Sequence, residues 1–155
     1  MQSLLLQIKK MCHYDPDLDT IHLVVDRDCH SFTKKQYDEV SSGCIKNNIR
    51  LYVTNPCIEL FLLFHHRPCH ESGRPMILLN QLDKPKGDTF TCRLLKKKDI
   101  GYAKESYDAG WYVDRYEKAK GNAEKSNLAT SIEHLKDSIG TNLFELCDLL
   151  FSLES

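Results

Sequence analysis

Ile21-His22-Leu23-Val24-Val25-Asp26-Arg27-Asp28 is a run of apolar, β-branched residues that ends abruptly in two carboxylates one residue apart. Such a run predicts a buried β-strand, and its acidic end predicts that the strand stops there. On an extended backbone residues i and i+2 point to the same side, so Asp26 and Asp28 converge at the mouth of the sheet. Working outward, Ser31 or Thr33 caps a helix reaching about Lys46, with Tyr37, Val40 and Cys44 turned inward. Arg50-Leu51-Tyr52-Val53-Thr54 is the second strand. Asn55 reads as a structural N-cap with Pro56 at the first helical position, opening a helix from Cys57 to His66.

Strand, helix, strand and helix in this order, with short connections, predict an α/β fold with a small parallel sheet. In such sheets sites gather at the carboxyl ends of the strands, where both Asp26-Arg27-Asp28 and Asn55-Pro56-Cys57 fall. A short amphipathic helix over residues 3–13 precedes this core, closed by Asp15-Pro16-Asp17. Residues 67–106 are broken by Pro68, Gly73, Pro75, Pro85 and Gly87 and leave room for a short helix near Met76 to Leu82. The remainder predicts helices at about 107–123, 129–138 and 142–153. The expected organisation is a single domain over 1–155: a core (1–66), a basic loop region (67–106) and a helical C-terminal part (107–155).

The composition is that of a globular chain: 155 residues, 41% hydrophobic, 28% charged and a net charge of -1. This balance excludes a histone-like coat or a wholly disordered chain. Seven cysteines at irregular spacing, with no signal-peptide pattern at the start, predict reduced thiols and a cytoplasmic location. The most apolar stretch, Cys57 to Phe64, is far shorter than the ~20 residues a membrane span needs, so no membrane is expected. Charge is uneven, however. Residues 15–39 hold seven acids against three basic side chains, and residues 84–104 hold seven basic side chains against two acids.

Hard carboxylate oxygens at i, i+2 suit Mg²⁺ or Mn²⁺, which share phosphate oxygens with a substrate. The alternative is ordinary turn chemistry, in which Asp caps a turn or a helix. Glu59, one turn into the helix after Asn55, is a third acid near the same edge, although a first-turn Glu also simply suits the helix dipole. His65, His66, Cys69 and His70, with Cys57 upstream, match no zinc spacing, and zinc is not expected. The basic stretch, above all Lys96, Lys97, Lys98 and Lys104, together with Arg27, reads as a nucleic-acid face. The aromatics that follow it, Tyr102 to Tyr116, read rather as core. Leu143, Leu146, Leu150 and Leu153 give the last helix an apolar face through which copies of the chain could associate.

With these residues aligned, the chain resembles the RloB-like family of bacterial and archaeal restriction and abortive-infection loci. The resemblance is carried by Leu23-Val24-Val25-Asp26-Arg27-Asp28-Cys29-His30 and by Val53-Thr54-Asn55-Pro56-Cys57-Ile58-Glu59-Leu60-Phe61-Leu62-Leu63-Phe64-His65. A weaker Tyr102-x-Lys104 and the segment Thr130-Ser131-Ile132-x-x-Leu135 follow. That family is similar to Toprim domains. The resemblance implies a Mg²⁺- or Mn²⁺-dependent nuclease, or the nuclease subunit of an antiphage system. Asp26 and Asp28 would hold metal, Glu59 would be an additional acid, and Lys104 would stabilise phosphate charge. It also implies DNA or RNA as substrate and an ABC-type ATPase as partner. Toprim chemistry uses a further glutamate in a Glu-Gly turn upstream of the Asp-x-Asp strand, and the residues before Asp26 contain neither glutamate nor glycine. A truncated, catalytically incompetent defence subunit that binds a partner protein or nucleic acid is therefore the alternative expectation.

Overall fold

A computed structural model of the chain describes residues 6–8, 10, 13–28, 31–97, 102 and 106–153. Strand β1 spans Ile21–Asp26 and pairs in parallel with β2, Ile49–Asn55, in the register Ile21↔Ile49 through Asp26↔Thr54. Between them runs α1, Lys34–Lys46. Its start is fixed by a capping box in which Thr33 accepts from the Gln36 N–H and the Gln36 side chain accepts from the Thr33 N–H. Tyr37 and Cys44 face inward from α1, as predicted. Of the helix predicted over 3–13, Leu6 to Ile8 and Lys10 are helical; most of the rest lies outside the described residues.

The sheet has a third strand that the sequence does not announce. β3 is only Gly140–Thr141 and runs antiparallel to β2, so the sheet is mixed, in the order β1-β2-β3. Its approach is tight: a Cβ on Gly140 would lie 1.9 Å from the Ala129 carbonyl oxygen, which only glycine avoids. Asn142 then continues the pairing with its side chain. Its Oδ1 accepts from Val53 N–H at 2.7 Å and its Nδ2 donates to the Leu51 carbonyl at 3.1 Å.

Alternate residues of β2 serve opposite layers, as strand geometry requires. Val53 packs with Tyr37 and Leu135, supported by Val25, Phe32 and Ile132. Tyr52 faces the other layer, where Phe61, Leu62 and Leu63 of α2 (Ile58–Phe64) meet Cys92, Leu95, Tyr112 and Leu143. The stretch expected to be a basic loop contains two helices, α3 (Arg74–Leu79) and α4 (Phe90–Lys96), because Ile77, Thr91, Cys92 and Leu95 have an apolar layer to bury against. The C-terminal part is helical: α5 (Ala109–Val113), α6 (Tyr116–Ser126), α7 (Ile132–Leu135) and α8 (Leu143–Leu153). The helix predicted over 107–123 is divided at Asp114 and Arg115, and the one over 129–138 shrinks to a single turn capped by Ser131. Among the described residues no helix is long and apolar enough to cross a membrane.

Candidate functional site

The main chain stays hydrogen-bonded to the end of β2 for two residues beyond β1. Arg27 N–H donates to the Thr54 carbonyl and Asp28 N–H to the Pro56 carbonyl, both at 2.9 Å, and the Asn55–Pro56 peptide is cis. Two consecutive N–H groups donating to one neighbour end the regular alternation of the strand, so the side that each residue takes shows in its burial and contacts. Asp26 is exposed, Arg27 is buried and Asp28 is half-buried.

Each carboxylate also has a local structural task. Asp26 Oδ1 accepts from the Ile58 N–H at 2.9 Å and so caps the start of α2 from a neighbouring strand. Asp28 heads the turn into α1: its Oδ2 accepts from Ser31 Oγ at 2.7 Å, and its carbonyl accepts from the Ser31 and Phe32 N–H groups. The turn chemistry weighed for Asp-x-Asp is thus present in full, and it holds both side chains in defined positions at the sheet edge.

Beneath this edge lies a buried polar network. Asn80, which ends α3 in a left-handed conformation (φ 41°), accepts at Oδ1 from Thr91 N–H (3.0 Å) and Oγ1 (2.6 Å) and donates from Nδ2 to Cys57 Sγ (3.3 Å). Cys57 Sγ also lies 3.1 Å from Thr91 Oγ1. Burial pushes the Cys57 thiol up to about 12, with the neighbouring Glu59 carboxylate adding to the shift. Glu59 itself is only 2% exposed, and Tyr102 Oη lies 3.5 Å from its Oε1. Burial, reinforced by Glu59, raises the Tyr102 phenol as well. An open cavity of about 330 Å³ lies over this network, lined by Asp28, Asn80, Gln81, Leu82 and Thr89.

Of the remaining predicted site residues, those that are described are dispersed. Arg27, expected on the nucleic-acid face, is instead 2% exposed on the opposite side of the strand. Its Nε donates to the Lys136 carbonyl at 2.9 Å, its Nη1 donates to the Phe32 carbonyl, and its guanidinium lies 5.5 Å from the Tyr37 ring centre. Asn55 does not cap α2, whose N-cap is Cys57; its Nδ2 donates to the Leu135 carbonyl at 2.8 Å, tying β2 to α7. Lys96 and Lys97 are exposed at the end of α4, Lys96 pairing with Asp88 at 2.6 Å. Lys98, Lys104, Cys29 and His30 lie outside the described residues. His65 is buried against Phe61 and Tyr112, and burial lowers its affinity for a proton.

Among the described residues no three His, Cys, Asp or Glu side chains form a group able to hold a metal ion. Mg²⁺ commonly binds through one or two carboxylates and completes its shell with water and substrate phosphates. A pair of carboxylates fits that mode and does not fit an all-protein cage. Asn80 and Thr91, which are joined beneath the candidate site, are residues that sequence reasoning does not find. The one available signal is an Asn at the end of a short helix, a position that favours the left-handed conformation.

A sequence model of the RloB-like protein family matches residues 2–150. The chain belongs to the RloB-like family. No curated protein and no solved structure matches it. In this RloB-like chain the family match spans the acidic edge, the buried network beneath it and nearly all of the helical part.

Proposed function

We propose that this RloB-like protein is a Mg²⁺- or Mn²⁺-dependent nuclease, or the nuclease subunit of a prokaryotic antiphage system, acting in the cytoplasm. The observation that carries the reading is that Asp26 ends β1 and Asp28 follows it at the same sheet edge, with Arg27 buried between them and Asp28 opening into the cavity. The pair would hold the cation; when bound, it supplies a water of lowered pKa and offsets charge on a phosphodiester. Asp26 is oriented by the Ile58 N–H and Asp28 by Ser31, so neither carboxylate has to reorganise to receive a cation. Glu59 acts from below as a buried acid through Tyr102, and Lys96, Lys97, Lys98 and Lys104 contact phosphates. An ABC-type ATPase is the proposed partner.

The test is incubation of plasmid DNA and total RNA with the protein in Mg²⁺, Mn²⁺ or EDTA, beside the Asp26→Asn/Asp28→Asn double variant. Metal-dependent cutting that the double variant loses, with an unchanged circular dichroism spectrum, supports the proposal. Cutting that survives in the double variant rejects it.

One observation favours a second reading, a non-catalytic subunit that binds a partner. α8 leaves Leu150 53% and Leu153 76% exposed, an apolar strip suited to another helix or to a second copy. A monomer with no affinity for DNA, RNA or any neighbour-encoded protein would count against this second reading.

A further inference from the structure

The cavity at the acidic edge is walled by a loop whose features exceed what a connection between α3 and α4 requires. Residues 83–88 close on themselves, with Asp83 N–H donating to the Asp88 carbonyl at 3.1 Å and Gly87 N–H to the Lys84 carbonyl at 2.8 Å. The turn is tight enough that a Cβ on Gly87 would fall 1.9 Å from Asp83 Oδ1. It holds Lys84 and Lys86 on its exposed side, Lys86 with a positive φ of 61°. Both flanks of the same loop line the cavity: Asn80, Gln81 and Leu82 before it and Thr89 after it. Leu82 is 52% exposed, an apolar surface at the rim, and Gln81 beside it offers both a donor and an acceptor. The floor is rigid, because Asn80 is 4% exposed and its amide is held by Thr91 and Cys57.

An acid and a concave apolar-and-polar wall therefore share one opening, and the loop between its flanks carries two exposed lysines. The cavity of about 330 Å³ sits at the lower end of the ~300–1,000 Å³ of small-molecule pockets. That space suits a single nucleotide. A base inside a duplex is stacked and paired, and it has to leave the helix to enter a concave pocket. We propose that this cavity is a nucleotide subsite, receiving one unstacked base and sugar between Asp28 and the 80–89 segment while Lys84 and Lys86 hold the neighbouring phosphates. The substrate strand is thus single-stranded where it meets the acidic edge. The proposal rests on the nuclease reading only for what happens to the strand afterwards, not for its binding.

Fluorescence anisotropy in EDTA, where no metal-dependent cutting occurs, separates the two. The probes are a labelled 12-nucleotide RNA, the DNA of the same sequence, and each annealed to its complement. Binding of a single strand, RNA or DNA, about tenfold tighter than its duplex is expected, since opening a duplex costs a few kcal/mol. The RNA and DNA arms show which sugar is preferred. Leu82→Asp, at an exposed position, should weaken single-strand binding about tenfold by placing a charge where the base lies. Lys84→Ala/Lys86→Ala should make the log–log salt dependence shallower by about 1.4, at ~0.7 for each single-strand phosphate that a lysine neutralises. Equal or tighter duplex binding, or wild-type affinity and salt dependence in both variants, would overturn the proposal. Single-strand binding through the cavity without Mg²⁺-dependent cutting upholds the subsite and defeats the nuclease reading. Asp28-dependent cutting of duplex, without preference for single strands, does the reverse.

Discussion

Of two cavities among the described residues, one beside β3 and one at the acidic edge, the larger is the less suited to chemistry. The one on the β3 side, about 430 Å³, is lined by Phe64, Leu128 and Phe144 together with Thr141 and Asn142. Its two polar groups nearest the sheet already serve the fold: Thr141 Oγ1 meets Thr54 Oγ1 at 2.9 Å, and the Asn142 amide completes the pairing of β2. The cavity at the acidic edge is smaller, yet Asp28, two residues beyond the end of β1, opens into it. Volume thus reports where helices fail to meet; chemistry follows the end of the parallel strand pair, where the backbone aims side chains outward together.

The largest effect should separate the two cavities outright. Asp28→Asn is expected to reduce metal-dependent cleavage by a factor on the order of 10²–10³, the scale of removing one charge-stabilising group. Glu145→Gln, on the wall of the larger cavity, should leave cleavage within about twofold. If the two variants have equal activity, the comparison fails.

Next comes a stability effect within the acidic segment itself. Arg27→Leu should cost about 3 kcal/mol, because it leaves the part-buried carbonyls of Lys136 and Phe32 without the guanidinium and removes a cation from the Tyr37 ring. Urea denaturation measures this. An unchanged midpoint, with nucleic-acid affinity abolished instead, would return Arg27 to the binding face that its sequence neighbours suggest. A smaller destabilisation, about 2 kcal/mol, is expected for Asn142→Ala, which leaves the Val53 N–H and the Leu51 carbonyl unpaired. Cleavage per folded molecule should not change.

Alkaline pH provides the mildest probe. The Cys57 thiol is pushed from an ordinary 9.0 to about 12 and Cys92 from 9.0 to about 11, in both cases chiefly by burial. Between those values the folded chain holds protons that the unfolded chain has released. Stability from these thiols is therefore complete below about pH 9 and declines as pH rises towards 11–12. Thermal melts should fall across that window, less steeply in Cys57→Ala. A flat profile would mean that the network under the acidic edge is open to water.

The elements legible in the sequence are those fixed by local pattern. β1, α1 with its Thr33 cap, β2 and the apolar helix α2 all follow from β-branched runs, caps and spacing within a few residues. What escapes depends on partners distant in the chain. Asn55 has the composition of a cap, but the α2 backbone is capped by Asp26 from the neighbouring strand, 32 residues earlier. β3 is two residues long, too short for any alternation, and exists because Asn142 and Gly140 meet β2 and Ala129. Lysine-rich residues 84–104 read as loop by charge, whereas Thr91, Cys92 and Leu95 are what the core uses, so part of that basic stretch folds as α4. At the site, the acidic end of β1 at Asp26 and Asp28 is visible from the sequence, whereas the turn that Asp28 opens with Ser31 and Phe32 departs from the strand geometry expected there. The Asn80–Thr91–Cys57 floor is not visible in the sequence, since three separate elements supply it.

The central claim is that Asp26 and Asp28 together hold a divalent cation, and titration of Mn²⁺ followed by electron paramagnetic resonance addresses it without any substrate, partner or trigger. The wild-type protein should bind Mn²⁺ in the micromolar to millimolar range and release it to competing Mg²⁺, and the Asp26→Asn/Asp28→Asn variant should not bind it. Identical Mn²⁺ titrations for the wild-type protein and the double variant would contradict the account.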